Sequence, residues 1–346
     1  MSTSSQTPTA NSVGAVTPST AVNSGSNPYV FVVGSPRSGT TLLKRLLDAH
    51  PLLAMTRETH WIPRFFERGI GLTADGRVTP ALIKKLHEHR RFSHLRLDPR
   101  EVEEAATAFE GRPYSDFVSN LFELYARGDG KPFVGDKTPP YVRKIDVLSK
   151  LWPRVRFVHL VRDGRDVCLS MRKWRMAHRA AGRRKTWQED PVSTTALWWE
   201  WLVRLGREAG ARLPGSRYLE LRYEDLIANP EQQCRQVCRF LDLPYAVEML
   251  DYHKGKTRTG SDLSANGAWL PPTPGLRDWR SQMPADDLRR FEAVAGRLLG
   301  ELGYERSLNE SGSDTARHAD RMRREFDGRP LPRNWGGDTL AKTLKP

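Results

Sequence analysis

Short apolar runs alternate with stretches of helical periodicity along the middle of the chain. The first run, residues 29–34, is continuous and rich in β-branched residues, which is typical of a strand buried on both faces. A helical pattern follows at 40–48, where four leucines recur at near-helical spacing, and it ends before Pro51. The pattern therefore predicts a strand, a tight turn and a helix in succession.

The same order recurs further along the chain. Strands are predicted at 133–135, 155–161 and 218–222, and helical patterns begin near Gly164 and Pro230. Strands that alternate with helices favour a parallel sheet with right-handed crossovers. We therefore predict an α/β domain over residues 29–305, with a parallel sheet flanked by helices.

Three segments depart from this alternation. Residues 62–130 show helix and loop patterns without a strand, which predicts a helical insertion over one edge of the sheet. Residues 1–28 carry no charged side chain and are rich in Ser, Thr, Asn, Ala and Pro, a composition typical of a disordered tail. Residues 306–346 are polar and rich in Gly and Pro, so we interpret them as a C-terminal tail with a short helical pattern near 315–326.

Charge and cysteine content narrow the class of protein. The 346 residues include 55 Lys and Arg against 41 Asp and Glu, a formal net charge of +14, which favours an anionic partner. No apolar run is long enough to predict a membrane span, and no secretory signal is visible. With only three cysteines, we expect a reducing cytoplasm. The stretch 171–185 holds seven basic residues and no acidic one. It is either a flap that attracts an anion or a solvated loop and helix face.

The segment between the first strand and the first helix is the most informative. Its sequence, Gly34-Ser-Pro-Arg-Ser-Gly-Thr-Thr41, has the frame G-x-x-x-x-G of a loop whose backbone N–H groups hold phosphate. A nucleoside-triphosphatase loop has Lys where this chain has Thr40, and here a cation, Arg37, comes three residues earlier. The frame alone is equally compatible with an ordinary strand–turn–helix. Otherwise it predicts a phosphate held by backbone, hydroxyls and one arginine, without a required metal.

A second cation follows another predicted strand. Arg162 comes at the carboxyl end of 155–161, where ligands bind in open α/β sheets, and Ser170 follows about two helical turns later. Such a pair can bind a second phosphate. The alternative is that Arg162, Asp163 and Arg165 form surface ion pairs, each worth under about 1 kcal/mol.

In this order, the motifs resemble those of sulfotransferases that use 3′-phosphoadenosine-5′-phosphosulfate (PAPS). Residues 36–41 are similar to the family's 5′-phosphosulfate loop, and Arg162 with Ser170 resembles its 3′-phosphate pair. The protein-tyrosine sulfotransferase branch and its bacterial relatives look most similar at 34–51, 58–64 and 161–165. The resemblance covers residues 29–305. It implies a P-loop-like sulfotransferase fold with PAPS as the sulfuryl donor and no required metal.

The resemblance also implies catalytic roles. Glu58 would be the general base that takes a proton from an acceptor hydroxyl, with His60 in reserve. Because a carboxylate of ordinary pKa is a poor base for an alcohol, we expect burial of Glu58, or activation of the hydroxyl by nearby cations, to compensate. Lys137 would lie near the bridging oxygen of the leaving group, and Arg37 would stabilise the sulfuryl group. Without the resemblance, Glu58 is equally a capping or ion-paired residue and Lys137 a surface lysine.

The remaining candidates concern the nucleotide. Tyr223 resembles a nucleotide-contacting tyrosine, although a structural tyrosine is nearly as compatible. In the loosely matched segment 275–280, either Arg277 or Arg280 would approach the 3′-phosphate, and we assign Arg277 to the site. The full set of nucleotide-binding candidates is Arg37, Ser38, Gly39, Thr40, Thr41, Arg162, Ser170, Tyr223 and Arg277.

We therefore predict a cytoplasmic PAPS-dependent sulfotransferase that binds PAPS and an acceptor bearing a hydroxyl. A small-molecule acceptor is favoured over a protein tyrosine because no signal or anchor is visible. Two alternatives stay open: a P-loop kinase-like phosphotransferase, and a non-catalytic module that binds nucleotides or polyanions. Nucleic acid is not an expected partner, since no recognised nucleic-acid fold or aromatic platform is evident. A homodimer stays open.

Overall fold

The computed structural model describes residues 27–174, 177, 185–254, 277–307 and 312–327. Five strands form one sheet in the order β2-β3-β1-β4-β5, and each neighbouring pair is parallel. The strands are β1 (Val30–Gly34), β2 (Leu53–Thr56), β3 (Phe133–Lys137), β4 (Arg156–Val161) and β5 (Tyr218–Arg222). The prediction of a parallel α/β sheet is confirmed. The tail predicted at 1–28, apart from its last two residues, and most of the basic stretch 171–185 lie outside the described residues.

Helices connect the strands and surround the sheet. They are α1 (Thr40–Asp48), α2 (Ile62–Arg68), α3 (Ala81–His87), α4 (Pro99–Ala108), α5 (Tyr114–Gly128), α6 (Ile145–Leu151), α7 (Gly164–Arg172), α8 (Lys185–Glu189), α9 (Pro191–Ala211), α10 (Tyr223–Ala228), α11 (Pro230–Phe240), α12 (Trp279–Gln282), α13 (Ala285–Glu301) and α14 (Ser313–Asp327). Among the described residues, no helix combines the length and the apolar character that a bilayer crossing requires.

The central strand β1 separates two apolar cores. Its side chains alternate, so that Phe31 and Val33 pack into the core on one face while Val30 and Val32 pack into the core on the other. All four are fully buried, which explains why the run is continuously apolar. The sheet is therefore covered by helices on both faces.

The segment 62–130 contributes α2 to α5. Helix α5 packs against β2 and β3, at the edge of the sheet that β2 forms. Its buried stripe includes Phe117, Leu121 and Leu124, at the spacing of one helical face. This segment thus covers the side of the sheet that lies next to the carboxyl end of β3.

Helix α14 packs on α13, α9 and α8. Ala319, Met322 and Phe326 are buried along one face, and His318 bonds the Asp190 carboxylate at 2.8 Å. The sequence showed only a short helical pattern here, because the other positions of the helix are polar or charged. A narrow apolar stripe is enough to attach this helix to the domain.

We expect Met322→Ala to lower the free energy of unfolding by about 2–5 kcal/mol, because the truncation removes fully buried apolar contacts and leaves a cavity. Urea denaturation followed by circular dichroism measures the change. The control is Arg324→Ala on the exposed side of the same helix, expected to stay within about 0.5 kcal/mol. Equal stability of the two variants would contradict the packing of α14 on the domain.

Candidate active site

The carboxyl ends of β3, β1 and β4 lie side by side in the middle of the sheet, because these strands are parallel neighbours. Lys137 ends β3, the loop containing Arg37 follows β1, and Arg162 follows β4. Three cations from distant parts of the sequence therefore meet at one edge, the edge at which open α/β sheets bind ligands.

The loop after β1 depends on a glycine at the start of α1. Gly39 has a φ of 90°, and a Cβ at this position would lie 2.3 Å from the ring of Tyr223. No side chain caps α1, so the first turn leaves backbone N–H groups available to an anion. The side chain of Ser38 is fully buried and its Oγ has no hydrogen-bond partner. An unpaired buried hydroxyl costs about 1–3 kcal/mol, which an anion oxygen would recover.

Arg37 connects this loop to α7. Its Nε donates a hydrogen bond to Ser170 Oγ at 2.9 Å, and its guanidinium lies 5.6 Å from the ring centroid of Trp174. Burial and the nearby charges of Arg277 and Arg162 lower the pKa of Arg37 to about 10. Ser170, which the sequence analysis paired with Arg162, is therefore bonded to Arg37, and the two predicted phosphate sites adjoin.

Arg162 lies against Tyr223, which in turn covers Gly39. The Arg162 guanidinium is 4.3 Å from the Tyr223 ring centroid, and one of its terminal NH2 groups donates to Asp166 Oδ2 at 3.2 Å. The Nε of Arg162 is buried and has no hydrogen-bond partner. The aromatic ring thus joins the loop after β1 to the cation after β4.

The sequence alternative for the motif that follows β4 was a set of surface ion pairs, and that interpretation is wrong. Arg165 is fully buried, donates to both carboxylate oxygens of Asp163, and pairs with Glu292 at 2.6 Å. Asp163 itself is buried and caps α7. These charged side chains therefore fix the position of the start of α7, and they are not surface groups.

The two C-terminal arginines differ in their surroundings. Arg277 lies close enough to Arg37 to influence its pKa, whereas Arg280 forms an exposed ion pair with Glu305 at 2.8 Å. Residues 275 and 276 of the segment singled out in the sequence lie outside the described residues.

Lys137 and Glu58 form an ion pair next to the loop. Lys137 Nζ donates to Glu58 Oε1 at 2.7 Å and to Thr41 Oγ1 at 3.4 Å, and only 6% of Lys137 is exposed. The other Glu58 oxygen, Oε2, is 2.9 Å from His60 Nε2 and accepts from Arg91 at 3.4 Å. Each oxygen of the carboxylate thus has its own partners.

Burial disfavours the charged form of Glu58, but Lys137, the His60 hydrogen bond and Arg91 outweigh it and hold the pKa of this carboxyl well below its usual range. Of the two compensations that we expected, burial acts in the expected direction but is outweighed by these charges and hydrogen bonds. Activation of the acceptor hydroxyl by nearby cations stays a prediction.

The turn that carries Glu58 is fixed to the end of β3. Thr59 donates its backbone N–H to Thr138 Oγ1 at 3.0 Å, and its hydroxyl bonds the Tyr141 hydroxyl at 2.7 Å. Asp136 accepts from Thr56 at 2.9 Å and is fully buried, and burial raises its pKa to about 6. The Asp136 carboxylate thus helps to attach the end of β2 to the end of β3.

Three residues at the site were missed as functional candidates. Arg91 binds Glu58, Trp174 lies over Arg37, and Asp166 binds Arg162. Only Asp166 carried a sequence signal, because a carboxylate four residues after an arginine on a helix can pair with it. The other two come from segments without a motif.

A cleft of about 860 Å³ lies between the C-terminal half of α1 and the helical segment 62–130. Its lining residues include Lys44, Arg57, His94 and Tyr125. Arg57 directly precedes Glu58 in the sequence, whereas Glu58 itself does not line the cleft. Its volume lies within the range typical of small-ligand sites, about 300–1,000 Å³. The site therefore combines a cation-rich edge with the ionised carboxylate of Glu58.

Comparison with known proteins gives a consistent result. A family model described as the sulfotransferase family matches residues 28–247, more than half of the chain. Protein-tyrosine sulfotransferase 1 of Danio rerio is 26% identical over 290 residues, which cover 82% of this chain and 74% of that protein. Protein-tyrosine sulfotransferase 1 of Homo sapiens is 26% identical over 290 residues, covering 82% and 71%.

Among solved structures, the sulfotransferase domain of the Synechococcus PCC 7002 olefin synthase superposes with a TM-score of 0.56 at 24% identity. The superposition covers 81% of this chain and 96% of that domain. The likeness shows a shared fold, and the predicted P-loop-like fold is confirmed.

We expect Gly39→Ala to destabilise the protein by about 1–3 kcal/mol, because a side chain is strained at this φ and collides with the Tyr223 ring. Thermal unfolding measures the effect. Gly128→Ala is the matched control, since a Cβ at Gly128 meets nothing within 4 Å. Equal melting temperatures for both variants would refute the close contact between Gly39 and Tyr223.

Proposed function

Since the chain belongs to the sulfotransferase family, whose enzymes take the sulfuryl group from PAPS, we propose that the site at the carboxyl edge of the sheet performs this transfer. The bond between sulfur and the bridging oxygen of the 5′-phosphate breaks, and a new bond forms between sulfur and the acceptor oxygen. The acceptor proton goes to Glu58. The products are a sulfate ester and adenosine 3′,5′-bisphosphate.

The observation that carries this proposal is the convergence of Arg37, Lys137 and Arg162 at the carboxyl edge of the sheet, beside a helix N-terminus without a side-chain cap. The charges of Arg277 and Arg162 lower the pKa of Arg37, and Lys137 lies beside the same loop. PAPS carries anionic groups at its 5′ end and at its 3′ position. A ligand of that kind relieves the repulsion along the whole edge.

We assign the two ends of the nucleotide to different parts of the site. Arg37, Lys137 and the first turn of α1 suit the 5′-phosphosulfate, because they surround the loop after β1. Arg162 and Arg277 suit the 3′-phosphate, with Tyr223 against the nucleoside. The 5′ set is Arg37, Ser38, Gly39, Thr40, Thr41 and Lys137, and the 3′ set is Arg162, Ser170 and Arg277.

Lys137 links donor binding to the basicity of Glu58. While Lys137 is bonded to Glu58, the carboxylate is a weak base. A phosphosulfate in the loop offers Lys137 a second anionic partner, and charge that develops on the leaving oxygen strengthens that attraction. As Lys137 turns to the donor, the pKa of Glu58 rises towards its usual range, and Glu58 becomes a better proton acceptor.

The acceptor expectation needs correction. The sequence analysis favoured a small molecule, whereas the curated relatives are protein-tyrosine sulfotransferases, which conflicts with that preference. We propose a phenolic hydroxyl, with a peptide tyrosine as the first acceptor to test. The low pKa of Glu58 supports this choice, because a phenol with a pKa of about 10 gives up its proton far more readily than an aliphatic alcohol.

The cleft that Arg57 lines is our candidate for the acceptor site, because Arg57 directly precedes Glu58 in the sequence. Its walls include residues of the helical segment 62–130, so that segment would shape the choice of acceptor. We keep a cytoplasmic location as a proposal, supported by the three cysteines, Cys168, Cys234 and Cys238, which are all unpaired buried thiols. A homodimer stays a prediction.

We expect Glu58→Gln to lower kcat by about 10²–10⁴-fold, because the amide cannot accept the hydroxyl proton. Transfer of labelled sulfate from PAPS to a tyrosine-containing peptide measures this. Affinity for adenosine 3′,5′-bisphosphate, measured by calorimetry, should be kept or increased, since Lys137 loses its competing partner. The exposed Glu104→Gln is the control, with unchanged kcat. Full activity of Glu58→Gln would exclude Glu58 as the base.

We expect Arg162→Ala to weaken binding of adenosine 3′,5′-bisphosphate by about 10–100-fold, the loss typical of a hydrogen bond to a charged group. Calorimetry measures the dissociation constant, and Arg212→Ala, which removes an exposed arginine paired with Asp146, is the control. Arg162→Lys keeps the charge and guards against a folding defect. If the wild-type protein does not bind the bisphosphate, the proposed function is wrong.

A further inference from the structure

The segment that carries Arg277 cannot hold its own position. Helix α12 has only four residues, far fewer than a helix needs to be stable by itself. Its place must therefore be set by contacts with the rest of the domain. Those contacts are with the start of α7, directly after Arg162.

Trp279 is the point of attachment. Its indole ring lies 3.5 Å from the guanidinium of Arg165, and the side chain is 5% exposed. Its backbone N–H donates to Asp166 Oδ1 at 2.9 Å. Arg165 is in turn fixed by Asp163 and Glu292, so this side of the attachment is rigid.

The Asp166 carboxylate connects two parts of the chain that each carry a cation. Oδ2 accepts from Arg162, four residues earlier, at 3.2 Å, while Oδ1 accepts from the Trp279 amide. Arg277 lies two residues before Trp279. The carboxylate is 8% exposed, so neither contact competes with bulk water. One buried side chain therefore ties the cation after β4 to the segment that delivers the C-terminal cation.

We propose that Asp166 is a positioning residue that holds Arg277 at the nucleotide site through the Trp279 amide while it orients Arg162. The inference rests on the proposed function, in which Arg162 and Arg277 both bind the 3′-phosphate. Asp166 itself makes no contact with the nucleotide in this scheme. Its negative charge also repels a phosphate. Replacing Asp166 would therefore have two opposite effects on nucleotide affinity: the arginines would be held less well, and the repulsion of the phosphate would disappear.

The test must separate positioning from that repulsion, and a double-mutant cycle does so. Binding of adenosine 3′,5′-bisphosphate is measured by calorimetry for the wild type, Arg277→Ala, Asp166→Ala and the double variant. The repulsion from Asp166 is the same whether or not Arg277 is present, and it cancels in the cycle. Only the dependence of Arg277 on Asp166 remains.

We expect Arg277→Ala to weaken binding about tenfold in the wild-type background and less than threefold in the Asp166→Ala background. Equal losses in the two backgrounds, or no loss in the wild type, would overturn the inference. Arg289→Ala, which removes an exposed arginine paired with Asp286, is the control and should change nothing in either background.

Hydrogen exchange gives a second readout that a general loss of stability does not reproduce. In Asp166→Ala, amides of 279–283 should exchange faster while those of β1 and β4 keep their protection. If Asp166→Ala does not fold, Asp166→Ser, whose single short hydroxyl cannot bind both partners, replaces it in the cycle with the same expected reduction in the effect of Arg277→Ala. Failure of the wild type to bind the bisphosphate would instead refute the proposed function, so the two failures are distinguishable.

Discussion

The site depends on holding several cations close together at one edge of the sheet. Arg37 lies among other arginines, and burial together with their charges lowers its pKa to about 10, so it is still protonated at neutral pH. Two like charges 4 Å apart repel by about 4 kcal/mol at an effective dielectric constant near 20. Carboxylates offset this repulsion locally, Glu58 at Lys137 and Asp166 at Arg162. The domain is thus able to fold with its anion site already formed.

Because these carboxylates already pair with the cations, a bound anion would replace a carboxylate as the partner of a cation. In the proposed function, an anion in the loop after β1 would replace Glu58 as a partner of Lys137, and the carboxylate would lose its strongest opposite charge. The base would therefore become effective only once the donor is present. Ser38 points the same way, since its buried hydroxyl lacks a partner that the ligand would supply. Buried polar groups of this kind favour binding of an anion.

The sheet, the loop and the strand-end cations could be predicted because each depends on residues adjacent in sequence. A buried strand has a continuous apolar run, and a cation directly after it must lie at the carboxyl edge. The contacts of Arg91 with Glu58 and of Trp174 with Arg37 could not be predicted from the sequence, because they depend on how the segment 62–130 and the end of α7 pack against the sheet. The low pKa of Glu58 was missed for the same reason, since Arg91 and Lys137 approach it from distant segments.

Two departures from the nucleoside-triphosphatase pattern distinguish the chemistry that this edge suits. Thr40 stands where such a loop carries its lysine, and the carboxylate nearest to the loop on the neighbouring strand, Asp136, is fully buried among threonines. A terminal sulfuryl group carries one negative charge where a terminal phosphoryl group carries about two. One arginine and one lysine are therefore enough to neutralise the charge that develops on a sulfuryl donor. Arg37 and Lys137 fit that smaller demand, and the rest of the edge is available to the nucleotide.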